Sequence, residues 1–293
     1  METGQIVKAL SGFYYVLSSG ELFECRGRGR LRLEGESPLV GDFVDFAPEP
    51  GNCGTVIKIH PRKNSFSRPA VANIDCMVIL ASAVNPISDP FLLDRLIVGA
   101  EFAGCRVIIC INKADMDSGD TLFDIYRTTG YTLLRTSAAT GEGTAELKAA
   151  MAGRLCAFTG NSGVGKSSLI NCLSPELSIS VGDVSDKLGR GRHTTRHVEI
   201  FTLDNGAAIA DTPGFSSFES DKSRHIPKEQ LQNCFAEFKP YLNNCRFDDC
   251  THRSEPGCAV LQAVEQGNIS VSRHESYLRL YELSAAVKAW ETK

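Results

Sequence analysis

The sequence lacks long apolar runs and a recognisable leader pattern, so neither a spanning helix nor export is expected. No apolar run approaches the ~18 residues needed to span a bilayer. The N-terminal stretch Met1-Glu2-Thr3-Gly4-Gln5 shows no basic segment followed by an apolar one, so no signal peptide is expected. There is no excess of positive charge. The 31 Lys and Arg against 35 Asp and Glu leave a net charge of −4. That excludes binding nucleic acid through the whole surface and confines any such contact to a local patch. Internal repeats and low-complexity tracts are absent. So is a disulfide framework. The 11 cysteines are odd in number, scattered, and set mostly in apolar runs such as Ile74-Asp75-Cys76-Met77-Val78. They read as buried, reduced thiols of a cytoplasmic protein.

What is present is a chain of 293 residues, 42% hydrophobic and 23% charged. That is enough for two or three domains at ~100–150 residues each. Residues 1–68 read as an all-β domain. Short apolar stretches at 13–17, 22–25, 39–46 and 55–59 are punctuated by Gly12, Gly20, Gly35, Pro38, Gly41 and Gly51. Five or so short strands suggest a small barrel, either an OB-fold or an SH3-like one. Residues 69–218 alternate strands and helices. Strands are expected at 74–81, 106–111, 132–136, 155–159, 197–203 and 207–210. Helices are expected at 89–103, 120–129, 142–152 and 166–173, with Ser88 as N-cap of the first and Pro90 in its first turn. This alternation implies a parallel sheet with helices on both faces and ligands at the carboxyl ends of the strands. Residues 219–293 are charged and helical, with a cysteine-rich knot at 245–258 and a final helix at 272–290.

Gly160-Asn161-Ser162-Gly163-Val164-Gly165-Lys166-Ser167, followed by Ser168, is a complete G-x-x-x-x-G-K-S phosphate loop after an apolar strand. Its glycines let backbone N–H groups face phosphate, and the helix N-terminus adds a positive dipole. Lys166 would neutralise β- and γ-phosphate charge and Ser167 would ligate Mg²⁺. Asp211-Thr212-Pro213-Gly214 follows another apolar strand and matches D-x-x-G. There Asp211 would hold Mg²⁺ through water and the Gly214 N–H would sense the γ-phosphate. Asn112-Lys113-Ala114-Asp115 ends the strand at 106–111 and reads guanine. A carboxylate at 115 accepts from N1–H and N2–H, a donor pair that adenine lacks. Lys113 would cover the base, Asn112 would tie this loop to the phosphate loop, and Ser137-Ala138 would present a backbone N–H to guanine O6.

The order of these motifs is inverted. The base reader precedes the phosphate loop, which implies a circularly permuted GTPase domain. The segment Gly189-Arg190-Gly191-Arg192-His193-Thr194-Thr195-Arg196 lies where a first switch must be. Thr194 or Thr195 is the expected ligand of Mg²⁺ and the γ-phosphate. Many GTPases place a water-orienting Gln directly after D-x-x-G. Here that position is Phe215, so slow intrinsic hydrolysis is expected, with the missing group supplied by another segment or a partner. His193 is the candidate catalytic residue. The alternative is a solvent-facing His in the loop.

Cys245, Cys250, His252 and Cys258 supply three thiolates and one imidazole, the donor set of a closed tetrahedral structural Zn²⁺ site. The alternative, buried cysteines beside a surface His, is opposed by the polar surroundings at 244–256. Arg26, Arg28, Arg30 and Arg32 alternate with Gly27, Gly29 and Leu31. They put several guanidiniums on one face, either a solvated basic hairpin or, in an OB-type barrel, a patch for RNA phosphate.

In its permuted motifs, in Gly191-Arg192-His193-Thr194-Thr195, in Asp211-Thr212-Pro213-Gly214-Phe215, and in Cys245-Arg246-Phe247-x-Asp249-Cys250-x-His252-x-x-Glu255-Pro256-Gly257-Cys258, the chain resembles the RsgA (YjeQ) family of bacterial small-ribosomal-subunit biogenesis GTPases. The resemblance covers essentially the whole chain. It implies an OB-fold, a permuted GTPase domain and a helical zinc domain. It also implies GTP hydrolysis stimulated by the small (30S) subunit and its rRNA during late assembly. A cytoplasmic monomer with no membrane partner is expected. Two readings follow. One is a GTP-hydrolysing assembly factor. The other is a zinc- and RNA-binding module whose affinity GTP regulates. A small-molecule kinase is disfavoured by the guanine reader and by the lack of a second substrate domain.

Overall fold

The computed structural model describes residues 1–28, 37–67, 69–175, 198–211 and 226–286. The first strand, β1 (Glu2–Leu10), is hidden in the sequence, because its glycine and polar start break any alternation. It forms because partners fill both of its edges. β2 (Phe13–Ser18) sets Val16 opposite Ile6, and β4 (Phe43–Glu49) sets Val44 opposite Gly4. β3 (Glu21–Gly27) runs antiparallel to β2 and parallel to β5 (Cys53–Ile59), which returns antiparallel to β4. The ring β1-β2-β3-β5-β4 therefore closes on itself. A simple meander has only antiparallel neighbours, so the parallel β3–β5 pair marks Greek-key closure of the OB type and settles the choice between barrels. Ile6, Val16, Phe23, Cys25, Val44, Phe46 and Val56 fill the interior. Burying each of the larger ones contributes about 1.5–3 kcal/mol.

The strand expected at 39–46 starts later, at Phe43. Val40 makes only an isolated bridge to Val71, and Gly41, at φ +93°, turns the chain before the strand begins. That turn is held by the buried Asp42 carboxylate, which accepts from Leu39 N–H and from Arg62. A short hairpin, β6 (Ser65–Ser67) with β7 (Ala70–Ala72), follows; each strand is too short to show a pattern.

β8 (Cys76–Ser82), β9 (Arg106–Asn112) and β10 (Thr132–Thr136) lie side by side, with β9 and β10 parallel. β8 is wholly buried, which explains its unbroken apolar run. β11 (Leu155–Thr159) is parallel to β13 (Ala208–Asp211). β12 (Glu199–Thr202) departs from the all-parallel expectation. It pairs antiparallel with β13, because a tight turn through Asn205 and Gly206 joins the two as a hairpin. β12 also meets β1, with Lys8 opposite Glu199 and paired to it at 2.8 Å.

Helices α1 (Pro90–Phe102), α2 (Asp120–Tyr126), α3 (Thr144–Met151) and α4 (Lys166–Leu173) connect these strands. The N-cap of α1 is Asp89, whose carboxylate accepts from Phe91 N–H at 2.9 Å. Ser88 is not the cap; its hydroxyl is used by Ser82 N–H instead. The C-terminal segment comprises α5 (Lys228–Leu231), two 3₁₀ turns at Gln232–Cys234 and Ala236–Phe238, α6 (Ala259–Glu265) and α7 (Val271–Ala286). Leu231, Phe235, Phe238, Val260, Ile269 and Tyr277 form its core.

The chain divides into two compact units. One gathers Met1–Cys76 with Met151–Phe158 and the strands β12 and β13. The other gathers Met77–Ala150, the phosphate loop with α4, and the C-terminal helices. Among the described residues no helix is long and apolar enough to cross a membrane.

Candidate nucleotide site and metal centre

β11 is buried at every position and delivers the chain into the loop at Gly160. Gly160, Gly163 and Gly165 have φ of +142°, +80° and +95°. Space as well as conformation demands glycine. A Cβ on Gly160 would lie 2.3 Å from the Leu80 carbonyl oxygen, and one on Gly165 would lie 2.4 Å from Asn112 Nδ2. The loop ends at the N-terminus of α4, where the backbone N–H groups of a first helical turn and the helix dipole favour an anion. The Lys166 ammonium donates to the carbonyls of Gly160 at 2.5 Å and Asn161 at 2.8 Å, so it sits within the loop where phosphate charge would be met. Ser167 and Ser168 follow on the first turn of α4, Val164 is buried, and Asn161, Ser162 and Gly163 border the loop's outer side.

The loop after β9 packs against this cradle. Buried Asn112 donates from Nδ2 to the Val164 carbonyl at 2.8 Å and accepts from Thr136 Oγ1 at 3.2 Å. One side chain thus ties the base-reading strand to both the phosphate loop and β10. Lys113 takes φ +67°, and Ala114 N–H donates to the Thr136 carbonyl. Ser137 Oγ donates to Asp115 Oδ1 at 2.5 Å and accepts from Ala139 and Thr140 N–H. Asp115 itself is exposed. Ser137 N–H is taken by the Glu142 carbonyl.

The segment between β8 and α1, which the sequence reading did not single out, borders this loop. The Asn85 carbonyl accepts from Lys113 Nζ. Pro86 lies against Gly163, where an added Cβ would come within 3.2 Å of Pro86 Cδ. Asp211 ends β13 with its backbone opposite Glu199. His193, Thr194, Thr195, Gly214 and Phe215 lie outside the described residues.

The four sequence-predicted metal ligands come together. One donor atom from each of Cys245, Cys250, His252 and Cys258 lies within 4.8 Å of the others. A tetrahedral zinc ion with bonds of about 2.3 Å to sulfur and about 2.0 Å to nitrogen sets S···S edges near ~3.8 Å and S···N edges near ~3.5 Å. Cys245 and Cys258 Sγ are 3.9 Å apart, and His252 Nδ1 is 3.6 Å and 3.4 Å from them. The donor set therefore fits zinc in chemistry and spacing. His252 Nε2 donates to Gln232 Oε1 at 2.9 Å, which fixes the tautomer that turns a lone pair on Nδ1 toward the sulfurs. Burial holds the imidazole below its ordinary pKa and so neutral. Burial pushes the Cys250 thiol up to about 12, so a metal bound there would displace protons. Gln232 had no local signal in the sequence. Glu255 stands within the motif that carries the family resemblance, and it caps the knot. Its carboxylate accepts from the N–H groups of Thr251, Arg253 and Ser254 and from Thr251 Oγ1.

On the barrel, Arg26 and Arg28 are exposed. The Arg26 guanidinium lies 4.9 Å from the Phe13 ring centroid. Arg30 and Arg32 lie outside the described residues.

Comparison with known proteins agrees with this geometry. Residues 59–221 match the model of the RsgA GTPase family, and residues 3–56 match that of the RsgA N-terminal domain. The chain is 45% identical over 280 residues to the "Small ribosomal subunit biogenesis GTPase RsgA" of Caldanaerobacter subterraneus subsp. tengcongensis, with 94% of each chain covered. It is 43% identical to the protein of the same name from Streptococcus pneumoniae, over 94% of this chain and 92% of that one. Among solved structures, YjeQ from Thermotoga maritima superposes with a TM-score of 0.84 at 32% identity, covering 98% and 99% of the two chains. YloQ, described as a circularly permuted GTPase, superposes with a TM-score of 0.80 at 36% identity, covering 98% and 96%. A closed OB-type barrel, a base reader placed ahead of its phosphate loop, and two family models that together span most of the chain place this protein in the RsgA family of circularly permuted, GTP-hydrolysing enzymes.

Proposed function

We propose that the protein hydrolyses GTP to GDP and phosphate on the small (30S) ribosomal subunit, in the late maturation of that subunit in the cytoplasm. The observation that carries the nucleotide part is the Asn112–Val164 hydrogen bond, which joins a guanine-type reader to a phosphate loop. The subunit is supported by the names of two relatives, each a small ribosomal subunit biogenesis GTPase, that align with 94% of this chain. Residues 1–68 serve as the RNA-binding barrel, 69–218 as the GTPase domain and 219–293 as the zinc domain, and the protein acts as a monomer.

In this reading Asp115 accepts from guanine N1–H and N2–H, Lys113 covers the base, and the Ala138 N–H beside Ser137 meets O6. The backbone of Gly160, Asn161, Ser162, Gly163, Val164, Gly165, Ser167 and Ser168 cradles the phosphates. Lys166 leaves its carbonyl partners to pair with phosphate oxygen. Ser167, Asp211 and Thr194 or Thr195 would hold Mg²⁺, which when bound neutralises charge between the β- and γ-phosphates. Gly214 N–H senses the γ-phosphate and His193 orients the attacking water. Cys245, Cys250, His252 and Cys258 hold one structural Zn²⁺. Arg26, Arg28, Arg30 and Arg32 meet rRNA phosphate.

Phe215 at the position of the usual water-orienting Gln favours a second reading, in which GTP chiefly regulates a zinc- and RNA-binding module and turnover is small. Steady-state GTP turnover with and without purified small subunits separates the two. Strong stimulation by subunits supports the first. Turnover that stays at the intrinsic level with saturating subunits overturns it.

A further inference from the structure

α7 is gripped at two places that have nothing chemically in common. On one side it holds the metal knot. His274 Nε2 donates to the His252 carbonyl at 2.8 Å, Tyr277 OH donates to the Thr251 carbonyl at 2.8 Å, and the Arg253 guanidinium lies 4.7 Å from the Tyr281 ring centroid. On the other side it holds the first two turns of α1. Arg273, fully buried, donates to Asp94 Oδ1 at 2.6 Å and to both Glu237 oxygens at 2.6 and 3.1 Å. Arg279 sets its guanidinium 3.7 Å from the Phe91 ring centroid. Tyr126 OH donates to the same Asp94 oxygen at 2.9 Å. A buried guanidinium between two carboxylates cannot be left unpaired without a large penalty, so α7 cannot shift against α1 while the network is intact.

α1 is not an inert partner. It begins directly after the turn in which the Asn85 carbonyl holds Lys113 and Pro86 rests on Gly163. The metal knot contacts α7, α7 contacts α1, residues 87–89 carry the chain from Asn85–Pro86 into α1, and Asn85 and Pro86 lie against Lys113 and Gly163.

We propose that α7 couples the metal knot to the guanine-nucleotide site, with Arg273 as a positioning residue for that site. The coupling rests on the nucleotide reading above. Metal binding sets the backbone of Thr251 and His252, these set α7, and α7 sets the first turns of α1 and through them the Lys113 loop. Loosening either grip frees the Asn85–Pro86 turn and raises the nucleotide dissociation rate. A merely structural role for Arg273 lowers the melting temperature and leaves that rate alone.

The test is stopped-flow dissociation of fluorescent mant-GDP from the full-length protein, well below its melting temperature. It compares wild type, Arg273→Met and Arg279→Ala, each with and without a zinc-selective chelator in excess Mg²⁺. The expected result is dissociation roughly 3- to 30-fold faster in each variant and in chelated wild type. Chelation should add little in the variants, because their link is already broken. Arg279 is exposed, so Arg279→Ala carries the test if Arg273→Met fails to fold. Unchanged dissociation in the folded variants, or a chelation effect as large in them as in wild type, overturns the coupling. A wild-type protein that takes up no mant-GDP overturns the nucleotide reading itself, and the two failures are told apart by that control.

Discussion

Asp115 enters the site with one oxygen already engaged by Ser137 Oγ. The hydroxyl holds the carboxylate in place, and in the proposed reading its other lone pairs meet the paired donors of guanine. Asp115→Asn turns one acceptor into a donor. The variant is expected to lose GTP binding and to tolerate xanthosine triphosphate, whose C2 carbonyl accepts. Competition binding of GTP, ATP and xanthosine triphosphate checks this, and equal affinity of the wild type for ATP and GTP would sink the guanine assignment. Gly165→Ala tests the space between the loops. Its Cβ would collide with Asn112 Nδ2 and must break the Asn112–Val164 bond or distort the loop. Nucleotide affinity should fall by at least tenfold, equivalent to about 1.4 kcal/mol, read by mant-GDP titration. Glu255 shows a third kind of residue effect. Partial burial opposes its ionisation, but hydrogen bonds from Thr251 Oγ1 and from the backbone of Ser254 and Thr251 hold its carboxyl well below the usual range. A depressed carboxyl stabilises the fold above its unfolded pKa of about 4.3, and that contribution is lost only as pH falls further. The thiolates protonate in the same descent, so the clean comparison is at pH 7. There Glu255→Gln should cost about 1–3 kcal/mol in urea unfolding, since the amide cannot accept as many donors.

Among the elements, α4, β10 and β11 could be read from the sequence residue for residue, because each is a short apolar or motif-bounded run. β1 could not. Its nine residues have no clean alternation, and only pairing on both edges makes them a strand. β12 was legible as a strand but not as an antiparallel one, since direction is set by the length of the turn that follows it. The 3₁₀ turns and short helices around the knot carry no period of their own. They are expected to depend on the metal, because binding free energy at such a site is folding free energy. Cys250→Ser should lower zinc content and lower the melting temperature of the C-terminal helices. Purified wild-type protein that contains no zinc by elemental analysis would count against this.

For the whole molecule, net charge of −4 makes any hold on RNA depend on concentrated positive patches. Arg26 and Arg28 are exposed on the barrel, and Arg190, Arg192 and Arg196 stand in the segment expected to be the first switch. If both meet RNA, docking orders the switch, and GTP, ordering the same switch, must tighten docking in return. Co-sedimentation with small subunits should therefore be stronger with a non-hydrolysable GTP analogue than with GDP, and should weaken as salt rises. Changing Arg28, Arg30 and Arg32 together to Ala should weaken it and flatten the salt slope. Binding that ignores both nucleotide and salt would remove this coupling and leave the GTP-hydrolysing assignment standing.

The sequence by itself determined the chemistry. Phosphate loop, guanine reader and metal ligands are local strings whose spacing is dictated by what they bind, and their inverted order already implied a permuted domain. It also determined where buried strands lie, because a strand covered on both sides must be apolar throughout. Tertiary structure alone decided the rest. Barrel type depended on a parallel pairing between β3 and β5, which no local pattern encodes. Gln232 on His252, Asn85 on Lys113, and the buried meeting of Arg273 with Asp94 and Glu237 join residues far apart in the chain. A polar side chain in a helix reads the same whether it faces water or a distant partner. Only packing, which removes the water, tells the two apart.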